Sequence, residues 1–346
     1  MKVLFLTRSF YPNIGGVEKH VLLLSRELLR RGYKITIICE KSDSKDLNYE
    51  LFEDIEIYRI PKLFKNKKIN NWYYLFGKFN LLKNANIVHC HDVFYWYLPF
   101  KFLLPFKKVY TTFHGYEGDN IPTKRAIFMH QMSEKLSNGS ICIGDFLKKW
   151  YKHHPTFVSY GATALKKSNS AQKLNKNNLR AVFVGRLENE TGILEYLETV
   201  VKLKKNDYKI KLLVLGDGTQ RKQAVDYSKL NKLAVTFKGF VRDPEIFLKK
   251  SDIIFVSRYL GILEALAIGK IVYALYNNEI KKDYLIDTPF RDYIQIASSS
   301  EELSKKVIWD LKSQDEVKKR LQKGYRWASL QTWEKLTDTY ETLWNK

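Results

Sequence analysis

A lone carboxylate, Glu264, stands where this chain can do chemistry. It lies in residues 257–269, in a helix expected to follow a strand over 253–256 and to precede one over 271–274. In open parallel sheets ligands bind outside the C-terminal strand ends, beside helix N-termini. An acid near the start of such a helix can grip the vicinal hydroxyls of a ribose. It can equally be an acid favoured by the helix dipole, worth about 0.3–1 kcal/mol, and the segment alone leaves both readings open. Gly15 and Gly16, just ahead of another expected helix, let backbone N–H groups approach an anion or merely serve a tight turn. His89, Cys90, His91 and Asp92 close one strand-like run, and His114 follows Thr111, Thr112 and Phe113 at the end of another. Histidine there supplies an N–H donor or a positive charge. His89 and His91 are also metal-ligand types, but no further ligand cluster accompanies them, so no metal is expected.

The elements that must position these residues alternate along the chain. Residues 3–6 read as a strand. Residues 17–31 read as a helix with Val21, Leu24 and Leu28 on one face and Glu18, Arg26 and Arg30 on the other, closed by Gly32. Further strands are expected over 34–39, 55–60, 86–90, 108–113, 139–143 and 156–159. After a polar stretch rich in Lys, Asn and Ser, a second series begins, with strands over 181–185, 210–215, 234–238, 253–256, 271–274 and 293–296. Helices over 301–311, 316–328 and 333–344 close it. Strands separated by helices imply parallel sheets with right-handed crossovers. The expected organisation is an N-terminal Rossmann-like domain over 1–163, a linker over 164–178 and a second Rossmann-like domain over 179–330. A terminal helix over 331–346 returns to the first.

Composition narrows the class. The chain has 346 residues, 45% of them hydrophobic, enough for two ordinary domains. Cys39, Cys90 and Cys142 are far apart in apolar runs and read as buried free thiols of a reducing compartment. No apolar segment reaches membrane-spanning length, and the N-terminal apolar run is too short for a signal peptide, so a cytoplasmic location is expected. The formal net charge is +22. A basic face attracts anionic lipid, binds nucleic acid or is simply a solvated surface; no nucleic-acid motif accompanies it. Residues 62–83 mix Lys with Trp72, Tyr73, Tyr74, Leu75 and Phe76, which suits the inner face of a membrane. The commoner arrangement, and the expectation, is a helix with an apolar core face and a basic solvent face.

The accumulated motifs resemble the retaining GT-B glycosyltransferases of the family 4 type, over nearly the whole chain. They are residues 8–18 with Gly15, Gly16 and Glu18; His89 to Asp92; Thr111 to Gly115; Gly185-Arg186-Leu187; Gly216-Asp217-Gly218; residues 235–241 with Gly239 and Phe240; and Glu264. Ser159-Tyr160-Gly161 is similar to the family's Asn-Gly turn. The resemblance implies an α/β GT-B fold, two Rossmann-like domains facing a cleft. It implies a nucleotide-diphosphate sugar as donor and no required cofactor. Arg186 would hold the diphosphate, Glu264 the ribose, and Gly15 and Gly16 the phosphate edge. Gly216, Gly218, Gly239 and Phe240 would line the nucleotide. His114 would act with Arg186 at the reacting centre. His91 and Glu18 would lie on the acceptor side, and Trp333 would match an aromatic of the terminal helix.

Two departures stand out. Where the family has Lys after Gly-Arg-Leu, this chain has Thr191, whose hydroxyl can bond a phosphate without offsetting its charge. The first of the family's paired Glu residues and its Gly-Phe-Gly loop are missing before Glu264; Arg258 sits on that turn and could meet the diphosphate instead. The implied function is sugar transfer with retention to a glycan or lipid-linked acceptor. Alternatives are a catalytically degenerate GT-B protein that binds nucleotide or glycan, and a sugar-nucleotide epimerase, for which no acid–base set is evident. A dehydrogenase lacks its Gly-x-Gly-x-x-Gly.

Overall fold

The computed structural model describes residues 1–13, 15–43, 45–116, 121–165 and 174–346. Met1–Tyr116, Pro122–Tyr160 and Trp333–Lys346 form one compact unit, and Gly161–Thr332 form the body of a second. Of the expected linker, residues 166–173 lie outside the described residues. Its end is already part of the second unit, since Leu174 is buried in that unit's core.

The first unit runs β1 (Lys2–Thr7), α1 (Gly16–Arg30), β2 (Lys34–Glu40), β3 (Tyr49–Phe52), β4 (Ile55–Ile60), α2 (Lys67–Gly77), α3 (Phe79–Asn84), β5 (Ile87–His91), α4 (Phe94–Leu103), β6 (Val109–Phe113), α5 (Lys124–Leu136), β7 (Gly139–Ile143), α6 (Phe146–Tyr151) and β8 (Phe157–Ser159). The second runs β9 (Leu179–Val184), α7 (Ile193–Lys205), β10 (Ile210–Leu215), α8 (Arg221–Leu230), β11 (Ala234–Gly239), α9 (Glu245–Lys250), β12 (Ile253–Phe255), α10 (Tyr259–Ala267), β13 (Ile271–Leu275), α11 (Glu279–Ile286), β14 (Gln295–Ala297), α12 (Ser300–Lys312) and α13 (Gln314–Ser329). A terminal helix, α14 (Trp333–Asn345), belongs to the first unit.

The sheet orders are β3-β4-β2-β1-β5-β6-β7-β8 and β11-β10-β9-β12-β13-β14. All pairings are parallel except β3 with β4. Strands covered on both faces must be apolar throughout, and Val3, Leu4, Phe5 and Leu6 of β1 are accordingly buried. The strand order reverses between β1 and β5 in one sheet and between β9 and β12 in the other. These two points are where α/β sheets open a crevice for ligands.

The expected elements are present with ends within two residues, and β3 is an addition. It is an edge strand joined to β4 by Glu53 and Asp54, both at positive φ (50 and 62). That geometry suits a two-residue hairpin, but without the Asn-Gly signal that announces one. A second difference lies in α2. Leu75 and Leu82 do pack inward, but Ile69, Tyr73 and Phe76 face solvent while Asn70 and Asn71 are buried. The expected apolar core face is thus only partly realised.

Helix α14 is sewn to the first unit by a directed hydrogen-bond chain. The indole of Trp344 can only donate, and it donates from Nε1 to His89 Nδ1 at 3.0 Å. His89 therefore carries its proton on Nε2, which meets Thr112 Oγ1 at 2.8 Å. Thr112 then donates to the Tyr340 hydroxyl at 2.9 Å, and Tyr340 donates to His20 Nε2 at 3.0 Å. Outside this buried row, Arg31 at the end of α1 bonds Asp338 at 2.7 Å and the Glu334 carbonyl at 2.9 Å. Trp344→Phe strands His89 Nδ1 as a buried acceptor. It is expected to cost about 1–3 kcal/mol, read as a lower urea midpoint at neutral pH; an unchanged midpoint would remove the chain's structural role.

Candidate active site

In the second unit the site is built on the C-terminal strand ends at the switch point. Arg186 follows β9 after Gly185, and Arg258 follows β12. Both guanidiniums meet one carboxylate: Arg186 Nη2 is 2.7 Å and Arg258 Nη2 3.5 Å from Glu190 Oε1. Arg258 also lies 5.9 Å from the centre of the Tyr284 ring, and Lys281 on α11 donates from Nζ to the Glu190 carbonyl. Three cations thus converge on the turn over 186–191. The Arg186 side chain is 61% exposed and that of Glu190 only 16%, so the guanidinium, not the carboxylate, is the open side of the pair. A doubly charged ligand and the Glu190 carboxylate would compete for the same two guanidiniums. Glu190, Lys281 and Tyr284 were not singled out by sequence reasoning. Glu190 had a signal, the i, i+4 spacing from Arg186; Lys281 is brought in by tertiary folding alone.

Several expected ligands have another part here. Thr191 is buried, and its hydroxyl lies 2.5 Å from the Arg186 carbonyl and 2.7 Å from that of Glu188, while the Glu188 N–H donates to it at 3.2 Å. Its one proton is spent closing the turn Asn189–Thr191, so it offers no donor to a phosphate. Gly216 (φ +142) and Gly218 pack the β10 turn onto the β9 loop: a Cβ would come 1.8 Å from the Gly185 carbonyl oxygen and 2.5 Å from that of Leu187, respectively. These glycines are required for loop-on-loop contact. Glu188 ties the same loops by accepting from the Thr219 N–H at 3.0 Å.

Glu264 lies beyond the first turn of α10, which carries no acid, so the helix-dipole reading falls. The helix starts earlier than expected because Tyr259 opens it, its N–H capped by the Tyr284 hydroxyl at 2.9 Å and its ring stacked 3.9 Å from that of Tyr284. Glu264 itself is 7% exposed. Gly239 (φ +72) ends β11, and Phe240 beyond it is 56% exposed.

In the first unit the site residues gather at the ends of β1, β5 and β6. His91 ends β5 and His114 follows β6; His91 Nδ1 and His114 Nε2 are 2.8 Å apart. His91 Nε2 is buried without a partner. A buried orphan N–H is costlier than an orphan lone pair, so His91 donates from Nδ1 and His114 carries its own proton on Nδ1. Asp92, at φ +61, accepts the His114 backbone N–H at 2.8 Å and fixes this turn. Burial, then the His20 and His89 rings, hold His114 well below the ordinary imidazole range. Burial first, then neighbouring histidines, does the same to His91. His114 therefore acts as a neutral N–H donor rather than a positive charge. His20, edge-on to His114 at 4.7 Å, is part of the same cluster. Its sequence signal was only its place after Glu18 and Lys19.

Gly15 caps α1 in an extended conformation (φ −162), and a Cβ there would meet the Glu18 carboxylate at 2.1 Å; around Gly16 there is open space. Glu18 thus folds back over the N-terminus of α1, favourable for a helix dipole. Gly15 leaves room for that carboxylate, and the space beside Gly16 is open. Among the described residues no group of three or more His, Cys, Asp or Glu could hold a metal ion.

Comparison with known proteins accounts for both units. Residues 166–327 match the family model for glycosyl transferases group 1, and residues 14–157 match that for glycosyltransferase family 4. The chain belongs to the group 1 glycosyltransferases. A segment of 93 residues, 25% of this chain, is 33% identical to a phosphatidylinositol N-acetylglucosaminyltransferase subunit of Homo sapiens, and it spans 19% of that protein. Sucrose-phosphate synthase from Thermosynechococcus elongatus matches with a TM-score of 0.77 at 15% identity, over 100% of this chain and 98% of its own. The catalytic domain of starch synthase IV from Arabidopsis thaliana, bound to ADP and acarbose, gives 0.66 at 13% identity over 99% and 98%. At such identities the likeness carries the fold, GT-B with two Rossmann-like domains, and the family models carry the glycosyltransferase assignment.

The packing of these sites carries two predictions. Gly216→Ala forces a left-handed Cβ into the Gly185 backbone and is expected to lower stability by about 2 kcal/mol or more, seen as a drop in the melting temperature; a wild-type value would remove the loop-packing role. Burial holds His20 and His89 at about 3 instead of 6.5. The unfolded chain takes up protons below pH 6.5 that the fold refuses, so stability is full above that pH and falls between 6.5 and about 3. Each ring contributes a slope of about 1 kcal/mol per pH unit. Denaturation at a series of pH values should show a shallower slope in His20→Gln than in wild type; equal slopes would contradict the buried neutral ring.

Proposed function

We propose that this chain moves a hexosyl group from a nucleoside diphosphate sugar, with retention of anomeric configuration, to a glycan or lipid-linked acceptor in cell-surface polysaccharide or glycolipid synthesis. The observation that carries this reading is the convergence of Arg186, Arg258 and Lys281 on the Glu190 turn at the β9/β12 switch point. Planar guanidiniums match diphosphate oxygens bidentately. Arg186 and Arg258 grip the diphosphate by displacing Glu190, and Lys281 adds charge from behind the turn. This cationic set offsets the charge that the family's missing Lys would have met, and the reading requires no metal. Glu264 accepts from the ribose hydroxyls, and the exposed Phe240 ring offers a face to the base. In the first unit, the neutral His114 offers a hydrogen bond from Nδ1–H of the kind a sugar hydroxyl accepts. The human relative's name, which specifies a phosphatidylinositol N-acetylglucosaminyltransferase, supports a lipid acceptor, and the ADP bound to the starch synthase domain supports a nucleoside diphosphate.

A second reading, nucleotide binding without catalysis, draws on one observation. The hydroxyl of Thr191 is closed within its own turn, and the N–H of Tyr259 at the start of α10 is capped by Tyr284, so neither is offered to a phosphate. The two readings separate in one assay: release of nucleoside diphosphate from a panel of UDP-, GDP- and ADP-sugars with lipid and glycan acceptors, with the product anomer read by NMR. Turnover is expected with one donor, and Arg186→Ala is expected to lower kcat/KM on the order of 100-fold. Nucleotide binding without turnover on any donor selects the second reading.

A further inference from the structure

Helix α2 leaves an apolar stripe in solvent, and its surroundings say what that stripe faces. Ile69, Tyr73 and Phe76, spaced to share one helical stripe, are 51%, 59% and 50% exposed. Leu75 packs inward, but so do two polar residues: Asn70 accepts from the Leu63 and Phe64 N–H groups and donates to the Pro61 carbonyl, and Asn71 donates to Glu40. The inward Asn residues are thus bonded to their surroundings, and Ile69, Tyr73 and Phe76 are left on the solvent side. The stripe continues at both ends. Phe64, itself exposed, packs edge-on against Tyr73 at 5.2 Å, and Phe76 lies 4.7 Å from Phe100 of α4. Helix α4 then ends in exposed Phe102 (74%) and Leu103 (54%), followed by Phe106 (98%).

The segment that carries this stripe is almost uniformly basic, and the acid that α2 touches, Glu40, is held by Asn71 on its inward side. Between Pro61 and Lys108 there are nine Lys and one acid, Asp92, which is engaged with His114 at the end of β5. Lys62, Lys65, Lys67 and Lys68 surround the start of α2 and are exposed. Exposed aromatic and aliphatic residues ringed by Lys, with no acid among them, match an anionic lipid headgroup layer: the rings enter the acyl boundary while the ammonium groups stay at the phosphates. A second protein would need a matching acidic rim and buried pairs; a lipid surface needs only mobile anions. No helix among the described residues is long and apolar enough to cross a membrane, so the contact is with the surface.

We propose that the α2 stripe with the end of α4 is a docking face for a bilayer containing anionic phospholipid. The face stands on its own, independent of which donor the second unit takes. It also has a consequence for the acceptor. Asn71 ties α2 to Glu40 at the C-terminal end of β2, the edge of the sheet from which the Gly15–Gly16 loop, His91 and His114 also emerge. A docked α2 therefore holds that edge close to the headgroups, within reach of a lipid-linked acceptor.

The test uses the full chain with vesicles of phosphatidylcholine alone and of phosphatidylcholine mixed with phosphatidylglycerol, by sedimentation at low and high salt. The expected result is binding to the mixed vesicles only, weakened by salt. Two variants separate the parts: Ile69→Ser/Tyr73→Ser/Phe76→Ser, and Lys65→Glu/Lys67→Glu/Lys68→Glu. Each keeps the wild-type melting temperature, because the residues are exposed, and the Lys set lowers partitioning at least about 100-fold. If one set lowers the melting temperature, the other is the deciding variant. Wild-type protein that ignores mixed vesicles overturns the proposal, as does a correctly melting variant that binds them equally well. Concentration-dependent self-association removed by the same substitutions, without lipid binding, would assign the face to a second copy and overturn it too.

Discussion

The indole N–H of Trp344 sets the protonation of the first unit's interior. Because an indole donates and never accepts, it fixes which nitrogen of His89 holds the proton, and the direction passes through Thr112 and Tyr340 to His20. One donor thus decides the tautomers of rings on two different elements, β5 and α1. The rings stay neutral because no acid sits among them and water is excluded, which is what desolvation requires of imidazole. Around this row, Phe5 lies edge-on to both His89 and His91, and His91 is hydrogen-bonded to His114. The His91–His114 pair stands beside this row as a separate hydrogen-bonded pair, touching it through the edge-on His20 ring.

The second unit holds its candidate ligands by a different device, close backbone approach. Gly216 and Gly218 bring one strand-end loop against another so tightly that side chains are excluded, and Glu188 and Thr191 close the remaining polar groups within the loops. A turn so fully bonded to itself is a rigid platform. What stays adjustable is its rim, where the Arg186, Arg258 and Glu190 side chains can exchange one anion for another. Preorganised cations on a rigid turn are the arrangement that electrostatic stabilisation of a leaving diphosphate calls for.

The sequence made the strands, the crossover helices and the family legible because apolar runs, helical periodicity and strand-end glycines are local signals. It also marked Arg186, Arg258, His91 and His114 as strand-end residues, and the structure puts each at such an end. What it could not show depends on distant partners. Lys281 joins the Glu190 turn from a different βα unit, and Tyr284 caps α10 from α11. Thr191 read as a phosphate donor because nothing local reveals that its hydroxyl is already bonded. Glu264 looked like the opening of a helix because the helix start is set by Tyr259 stacking on Tyr284, a contact between residues far apart in the chain. The apolar core face expected of α2 is only partly realised for a related reason: Asn70 and Asn71 are drawn inward by Pro61, Leu63, Phe64 and Glu40, partners that periodicity does not reveal.

Helix α14 also bears on how the protein is made. The first unit is discontinuous: residues 333–346 complete a core whose strands end at Ser159, and the whole of the second unit intervenes. During synthesis the buried His row has no Trp344 and no Tyr340 until translation has passed through the second unit. Contacts of such sequence separation close slowly against loop entropy, so the early-made sheet must wait, its rings exposed to water and free to take up protons. The first unit is thus begun first and sealed last, by a helix that is the final segment to be made.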